Sequence, residues 1–325
     1  MPSTKLKTLY LLDVFHRLTD QEHRLSVPEL MAELAERGVM TERKSVYRDI
    51  ETFVEYGLDV KKSAAGYYLD SRRFELSELR LLVSAVQAAF FISEKRSREL
   101  IRKLIENASD YQGKVLLAQA NIGGVKREDD AVFHTIETVN AAIASGRQIN
   151  FYYYKRDISK RNVVQRRGRR YHASPYAMMW VQDKYYLVCN MQGRDNLTHF
   201  RLDRMQMVVL ENAPARPFSE VSEYTGVFDT ADYAAKCLNM FGGEIARITL
   251  RCHNDLVGEV LERFGEQTPL RREGDTHFVT SVEAAVSLGL IGWVSQFGVN
   301  MEILSPEPLR RQMAERLAQA AALYV

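Results

Sequence analysis

The stretch RRYHASPYAMMWVQDKYYLVCN, residues 169–190, holds two apolar runs separated by a short polar turn. Runs rich in aromatic and β-branched residues on either side of such a turn are typical of antiparallel strands. Two further strands are predicted at 148–154 and 198–210, and a helix that starts near Ala131 and ends at Gly146 precedes them. One helix leading into several short strands predicts a small SH3-like or Sm-like β-barrel.

A second sheet is predicted beyond this barrel. The segment ENAPARPF, residues 211–218, contains two prolines and is predicted to be a linker. After it, the pattern is strand, helix, strand, strand, helix, strand, over residues 247–251, 257–264, 268–273, 276–283, 284–297 and 300–304, with an added helix from about Pro306. This order is the ferredoxin-like one, so we expect a C-terminal α+β module.

Upstream of the barrel, apolar residues recur at helical spacing in three segments. They are Leu11, Val14, Phe15 and Leu18; Val27, Leu30, Met31 and Leu34; and Val46, Ile50 and Phe53. Ser26 and Glu29 form a capping-box pattern at the start of the second segment, and Gly38 stands at its end. Two helices joined by a short glycine turn predict a helix-turn-helix, and the hairpin pattern at 58–70 predicts a wing.

The chain is therefore expected to be a multidomain α+β protein. We predict a winged helix-turn-helix domain at 1–72, a helical connector at 73–128, the barrel at 129–212 and the ferredoxin-like module at 213–325. The length of 325 residues agrees with several domains.

The bulk composition excludes several classes of protein. A formal net charge of +2 means that any contact with nucleic acid must come from local charge. The three cysteines are far apart and form no C-x-x-C pair, which predicts no zinc site and a reducing cytoplasm. Asp13 interrupts the apolar run after Lys5 and Lys7, and the apolar stretch 81–92 is too short to span a bilayer, so we expect neither export nor membrane insertion.

The third predicted helix carries the candidate DNA-binding residues. Long donors at helical spacing can reach base edges and phosphates, and the wing adds two lysines. The candidates are Arg43, Lys44, Ser45, Tyr47, Arg48, Lys61 and Lys62. The alternative is a solvated helix face, because residues 41–73 contain seven basic and six acidic residues. The glycine turn and the wing favour binding of double-stranded DNA.

A second candidate site lies in the barrel. Between Lys155 and Arg170 there are eight basic residues and one acid, and such a run is ordinarily a solvated loop. In FRLDR, residues 200–204, period-two alternation directs the apolar side chains to the core and the charged ones to the other face. The candidate effector-binding residues are Tyr153, Arg170, His172, Ser174, Tyr176, Tyr186, Arg201, Asp203 and Arg204. For the tyrosines, the alternative is a rim position with a buried ring.

Motifs of enzymes are absent from the sequence. It contains no H-E-x-x-H, no G-x-x-x-x-G-K-[ST] and no G-x-S-x-G, and neither the glycine pair at 123–124 nor the pair at 242–243 precedes a Lys-Ser/Thr. We expect no catalysis, no cofactor and no metal.

Taken together, these motifs resemble those of the bacterial WYL-domain transcriptional regulators along nearly the whole chain. The stretch ERKSVYRDIETF, residues 42–53, is similar to the family's helix-three signature, with Glu42 and Ser45 in place of the usual Ser and Thr. GYYL at 66–69 is similar to its wing, and SPYAMMWVQDKYYLV followed by THFRLDRM to its second-domain motifs, with Tyr185 at the name-giving tryptophan. The resemblance implies a homodimeric DNA-binding regulator whose barrel senses a nucleotide or nucleic-acid fragment, and a C-terminal extension that contributes to dimerisation and sensing.

The leading hypothesis is thus a ligand-responsive transcriptional regulator whose dimer spans DNA half-sites about 34 Å apart. An RNA-binding module that acts through the barrel and the C-terminal domain is the alternative. A nucleotide-modifying enzyme has no motif in its support.

Overall fold

The computed structural model describes residues 4–89, 91–120, 130–222, 224 and 228–324. The chain divides into two compact units between Asp130 and Ala131. The glycine pair at 123–124 and the predicted domain border at 128–129 lie outside the described residues. Within them, no helix is long and apolar enough to cross a membrane.

The N-terminal unit begins with three helices and a hairpin, in the predicted order. The helices are α1 (Thr4–Leu18), α2 (Val27–Glu36) and α3 (Arg43–Tyr56), and the strands are β1 (Val60–Ser63) and β2 (Gly66–Leu69). Their apolar stripes meet in one core that contains Leu11, Phe15, Leu30, Val46 and Phe53. The capping box is present, since the Glu29 carboxylate accepts hydrogen bonds from the Ser26 backbone N–H at 2.7 Å and from its hydroxyl at 2.6 Å.

The hairpin is fixed to the helices by a third extended residue. Leu25, just before α2, pairs with Tyr67 through reciprocal backbone hydrogen bonds of 2.8 and 3.0 Å. A Cβ on Gly66 would lie 2.4 Å from the carbonyl group of Leu25, and the φ angle of Gly66 is +140°. Glycine is therefore required where β2 begins.

Three further helices follow in the described part of this unit, where the sequence predicted a helical connector. They are α4 (Leu76–Ala88), α5 (Glu94–Ile105) and α6 (Asp110–Gln119). The carboxylate of Asp20 accepts a hydrogen bond from the Ser109 hydroxyl at 2.5 Å and two more from backbone N–H groups of Glu22 and His23. Burial acts to raise the pKa of Asp20, but the hydrogen bonds from Ser109 and His23 outweigh it and lower the pKa.

The C-terminal unit opens with the predicted helix and antiparallel sheet. Its elements are α7 (Ala131–Ser145), β3 (Arg147–Arg156), β4 (Asn162–Val164), β5 (Tyr171–Val181), β6 (Lys184–Met191), β7 (Leu197–Arg201) and β8 (Met205–Pro214). The strands pair in the order β8-β3-β5-β6-β7, with β4 on the far end of β3, and form a half-barrel sheet.

Two predictions for this sheet need correction. Residues 198–210 are not one strand, because a 3-10 turn at Leu202–Arg204 separates β7, which pairs with β6, from β8, which pairs with β3. The chain has to turn there to pass from one edge strand to the other. The start of the predicted linker is also sheet, since β8 runs through to Pro214.

An unpredicted helix, α8 (Thr230–Lys236), lies between the two sheets in sequence. Its Tyr233 joins Met179 and Val188 of the half-barrel, together with Cys237 and Met240, in a small core. This core fixes the segment that follows α8 against the half-barrel sheet.

The last sheet has the predicted element order. It consists of β9 (Ile245–His253), α9 (Val257–Phe264), β10 (Leu270–Glu273), β11 (His277–Ala285), α10 (Leu288–Ser295), β12 (Met301–Ser305) and α11 (Glu307–Ala321). The strands are antiparallel in the order β10-β11-β9-β12. Alternate residues of β9 and β12, such as Ile248, Leu250 and Ile303, face the helices and form the core.

Candidate functional site

The exposed face of α3 carries the long donors that the sequence predicted. Val46, Ile50 and Phe53 are buried, so the helical period directs the other face to solvent. That face presents Arg43, Lys44, Tyr47 and Arg48, all exposed. The three cations make no ion pair with any described residue, which leaves their charge available to a partner.

Ser45 has a different role from its neighbours. It is half-buried, and its hydroxyl accepts a hydrogen bond from the ammonium group of Lys7 on α1. The same ammonium group lies 2.6 Å from the carboxylate of Asp49, which also accepts a hydrogen bond from Thr8. Both charged side chains are nearly buried, so this pair fixes α3 on α1.

The hairpin continues the α3 face on one side. The rings of Tyr47 and Tyr67 are 6.3 Å apart, and the Lys62 ammonium group lies 5.7 Å above the Tyr67 ring. Lys61 instead pairs with Asp59 at 2.9 Å, and this hydrogen bond raises the pKa of Lys61. Lys62 thus extends the cationic surface of α3, while the charge of Lys61 is already compensated.

The half-barrel borders a cleft of about 640 Å³ that brings together part of the second predicted site. We call it the basic cleft. Its principal side chains are Tyr153, Lys184, Tyr186, Arg194, Arg201 and Arg204, and the segment Asn239–Gly243 forms its other wall. Among its described lining residues none is acidic, so its potential favours an anion.

Arg201 is held in place by its neighbour. Asp203 accepts two hydrogen bonds from it, from Nε at 3.0 Å and from Nη2 at 2.8 Å. Burial opposes the charge of Arg201, but the interaction with Asp203 raises the pKa overall. The hydroxyl of Tyr153 accepts a hydrogen bond from the Arg201 backbone N–H at 3.3 Å, and burial raises the pKa of this tyrosine. Both tyrosine and guanidinium are therefore preorganised.

His199 also borders the basic cleft, and it is neutral. Its Nε2 lies 2.8 Å from the hydroxyl of Tyr233 on α8. Burial lowers the pKa of His199 to about 4, although a hydrogen bond with the Met240 backbone acts in the opposite direction. The positive charge of the cleft at neutral pH thus comes from its lysine and arginines.

Four predicted effector residues lie elsewhere. Arg170 stacks over the Tyr152 ring at 4.7 Å and donates to Asn150, while Nδ1 of His172 lies 2.8 Å from Glu211. Ser174 accepts a hydrogen bond from the Arg216 backbone N–H at 2.9 Å, and Tyr176 donates to the Arg216 carbonyl at 2.8 Å. Burial raises the pKa of Tyr176 to about 12. These four residues have structural partners and do not line the basic cleft.

Strand register explains this separation. Tyr186 lies opposite Met179 and Arg201, whereas Ser174 lies opposite Asn190. Tyr186 and Asn190 are four positions apart on β6, a distance of about 13 Å along the strand. The residues before Pro175 are therefore at the other end of the hairpin.

The basic cleft also contains residues that the sequence analysis missed. Lys184 precedes Tyr186 by two residues, so the alternation of a strand could have placed both on one face. Arg194 and the segment Asn239–Gly243 carried no local signal, because they reach the cleft through loops.

Part of the predicted charge run remains at the surface. Arg166 and Arg167 are exposed near the turn at Gly168, and the Arg166 guanidinium group lies 4.2 Å from the centre of the Tyr171 ring. Among the described residues, no cluster of His, Cys, Asp and Glu could hold a metal ion.

Comparisons with known proteins identify two domains in the C-terminal unit. Proteasome accessory factor B/C (PafBC) of Arthrobacter aurescens is a similar structure, with 16% identity and a TM-score of 0.31 over 99% of this chain and 49% of that chain. A CRISPR Cas-related protein is also similar, with 16% identity and a TM-score of 0.39 over 99% of this chain and 84% of that one. The chain spans about half the length of PafBC. No curated protein matches the chain. Residues 134–210 match the WYL domain and residues 244–321 match the WCX domain, so the chain contains a WYL domain followed by a WCX domain.

Proposed function

We propose that this protein is a ligand-responsive, DNA-binding transcriptional regulator. In this proposal, residues 1–72 form a winged helix-turn-helix, 73–128 a connector, 129–212 the WYL sensor and 213–325 a ferredoxin-like extension. One observation carries it: a WYL domain with a cationic cleft shares a chain with a helix that exposes four long donors on a single face. The protein acts by binding and not by catalysis.

The α3 face has the chemistry that duplex DNA requires. The major groove is about 12 Å wide and accepts one helix, and arginine can donate two hydrogen bonds to guanine there. Arg43, Lys44 and Arg48 supply the donors, and Lys62 on the hairpin is positioned for a phosphate. A homodimer would place two α3 helices in half-sites about one turn, ~34 Å, apart.

The basic cleft suits an anionic effector, either a nucleotide or a short nucleic acid. Asp203 preorients Arg201, while Arg204 and Lys184 make no ion pair with a described residue and can neutralise a phosphate. The rings of Tyr153 and Tyr186 offer aromatic surface beside these charges. Binding would shift the population between DNA-competent and DNA-incompetent dimers.

The DNA-binding half of the proposal is tested with Arg48→Ala in a gel shift on the protein's own promoter DNA. Loss of one specific arginine contact should weaken binding by about 1–3 kcal/mol, roughly 5- to 150-fold. Arg80→Ala is the matched control, because Arg80 is also an exposed arginine but lies outside α3. Equal affinities of the wild type and both variants would reject α3 as the DNA-binding helix. RNA binding that survives deletion of residues 1–70 would instead favour an RNA-binding module.

The effector half is tested with Arg204→Ala, since removal of Arg201 would also break the ion pair between Arg201 and Asp203. Nucleotides and 5′-phosphorylated single-stranded DNA are titrated against the wild type, Arg204→Ala and Arg167→Ala. The exposed Arg167 lies outside the cleft and serves as the control for one lost charge. A loss of affinity confined to Arg204→Ala supports the site, whereas three equal affinities would exclude it.

A further inference from the structure

A second cleft, of about 390 Å³, lies next to the basic cleft in the C-terminal unit. We call it the Trp293 cleft. Helices α9 and α10 of the WCX domain contribute Glu259, Glu262, Arg263, Trp293 and Gln296 to it. Gln182 and Asn239 line both clefts, so the two spaces meet at these amide side chains.

The residues at this junction have an unusual backbone. Gln182 has a φ angle of +46° and Asn239 one of +53°, in the left-handed region that non-glycine residues seldom occupy. Gln182 stands in the two-residue turn between β5 and β6, where glycine is commonly preferred. Asp183 has a φ angle of +57°, so the positive φ of Gln182 is that of a type I′ hairpin turn, and both Gln182 and Asn239 lie where the two clefts meet.

The two clefts differ in charge. The described lining of the basic cleft has three arginines, a lysine and no acid. The Trp293 cleft has one arginine and two glutamates, which are three residues apart and so on one face of α9. A phosphate is favoured in the first and disfavoured beside the carboxylates of the second. A ligand that occupies both clefts would therefore bind with its phosphate in the basic cleft.

The interior of the Trp293 cleft offers stacking and hydrogen bonding. The Trp293 ring is half-buried and held edge-on by Phe264 at 5.4 Å and Phe297 at 5.1 Å. Arg263 donates from Nη2 to the carbonyl groups of Ala234 and Ala235, at 3.2 and 3.0 Å, and has no ion pair with a described residue. A rigid indole beside amides, carboxylates and a guanidinium group matches a planar heterocycle with donors and acceptors on its edge.

We propose that the Trp293 cleft binds a nucleobase of the effector whose phosphate lies in the basic cleft. The indole stacks on the base, and the side chains of Gln296 and the α9 glutamates bind its polar edge. This inference rests on the proposed function of the basic cleft. It makes the WCX domain the part of the chain that distinguishes a nucleotide from a simple phosphate.

The test uses the full chain with Trp180→Phe, which leaves Trp293 as the one tryptophan, since the sequence has two. The probes are a 5′-phosphorylated deoxydinucleotide and its abasic counterpart, titrated by calorimetry and by fluorescence. Base stacking of about 1–3 kcal/mol predicts 5- to 150-fold tighter binding of the probe with bases, and only that probe should change the Trp293 emission. Equal affinities, or unchanged emission at saturation, would overturn the proposal.

Two variants test the two clefts independently. Gln296→Ala should weaken only the probe with bases, while Gln267→Ala, an exposed glutamine outside the cleft, should weaken neither. Arg204→Ala should weaken both probes. If Arg204→Ala has no effect on either probe, the proposed function of the basic cleft fails as well. If Arg204→Ala weakens the binding of both probes while the Trp293 emission does not change, only the proposed base site in the Trp293 cleft is rejected.

Discussion

His199 should make the stability of the C-terminal unit depend on pH below neutrality. The imidazole of His199, on β7 of the half-barrel, contacts the hydroxyl of Tyr233 on α8, and burial lowers its pKa to about 4. In the unfolded chain the pKa is the ordinary 6.5. Between these two values the unfolded state binds more protons than the folded state, so stability is complete above pH 6.5 and is lost as the pH falls towards 4.

The size of the effect follows from these two pKa values. Linkage gives a loss of about 2 kcal/mol in the free energy of unfolding between pH 7 and pH 5. Other groups titrate over the same range, so the informative quantity is the difference between the wild type and His199→Gln. Glutamine keeps a polar side chain near Tyr233 but does not titrate. Between pH 7 and pH 5 the free energy of unfolding of His199→Gln should therefore fall by about 2 kcal/mol less than that of the wild type.

Urea denaturation followed by tryptophan fluorescence measures this difference. Trp180 and Trp293 are the two tryptophans and both belong to the C-terminal unit, so the signal reports on that unit. If the wild type and His199→Gln lose the same free energy of unfolding between pH 7 and pH 5, the imidazole is not buried in its neutral form.

Two substitutions test the packing of each unit. Gly66→Ala should release the hairpin, because its Cβ would lie 2.4 Å from the Leu25 carbonyl group, and faster hydrogen exchange over residues 60–69 would show it. Gly57→Ala is the control, since Gly57 also has a positive φ but no atom lies within 4 Å of the added carbon. This substitution should lower the free energy of unfolding by only about 1–2 kcal/mol. Leu187→Ala should destabilise the C-terminal unit by about 2–5 kcal/mol, because Leu187 is 0% exposed. Leu288→Ala is the control, since Leu288 is half-exposed and its loss should cost about 0.5 kcal/mol or less. If Gly66→Ala and Gly57→Ala, or Leu187→Ala and Leu288→Ala, lose the same free energy of unfolding, the packing described here is contradicted.

Local patterns in the sequence were sufficient for most of the elements and for their buried faces. The spacing of Val46, Ile50 and Phe53 predicted α3 and its buried stripe, and all three are in the core. The alternation around Arg201 likewise predicted that Phe200 and Leu202 would be buried, and they are, although a 3-10 turn replaces the strand there. Such patterns succeed because the period of an element determines which side chains share a face.

The composition of the basic cleft could be predicted only in part, because a period identifies a face and not a position along it. His172 belongs to a strand beside Tyr186 but lies near the other end of the hairpin, and Tyr176 lies at the bulge between Pro175 and Ala177. The second wall, Asn239–Gly243, depends on the packing of α8 against the half-barrel. That packing joins residues distant in sequence, and no local pattern encodes it.

The second wall of the basic cleft, Asn239–Gly243, also belongs to a segment that packs against the WCX domain. A Cβ on Gly243 would lie 2.2 Å from the Val286 carbonyl oxygen, and one on Gly289 would lie 2.2 Å from that of Leu238. The segment between α8 and β9 thus contacts the β11–α10 loop at Val286 and the first turn of α10 at Gly289, and at each contact only glycine fits. Because this segment forms a wall of both clefts, a ligand that binds more tightly when the segment is packed would stabilise its contact with the WCX domain. By linkage, a substitution that loosens the contact would then weaken the binding of that ligand by the same coupling free energy.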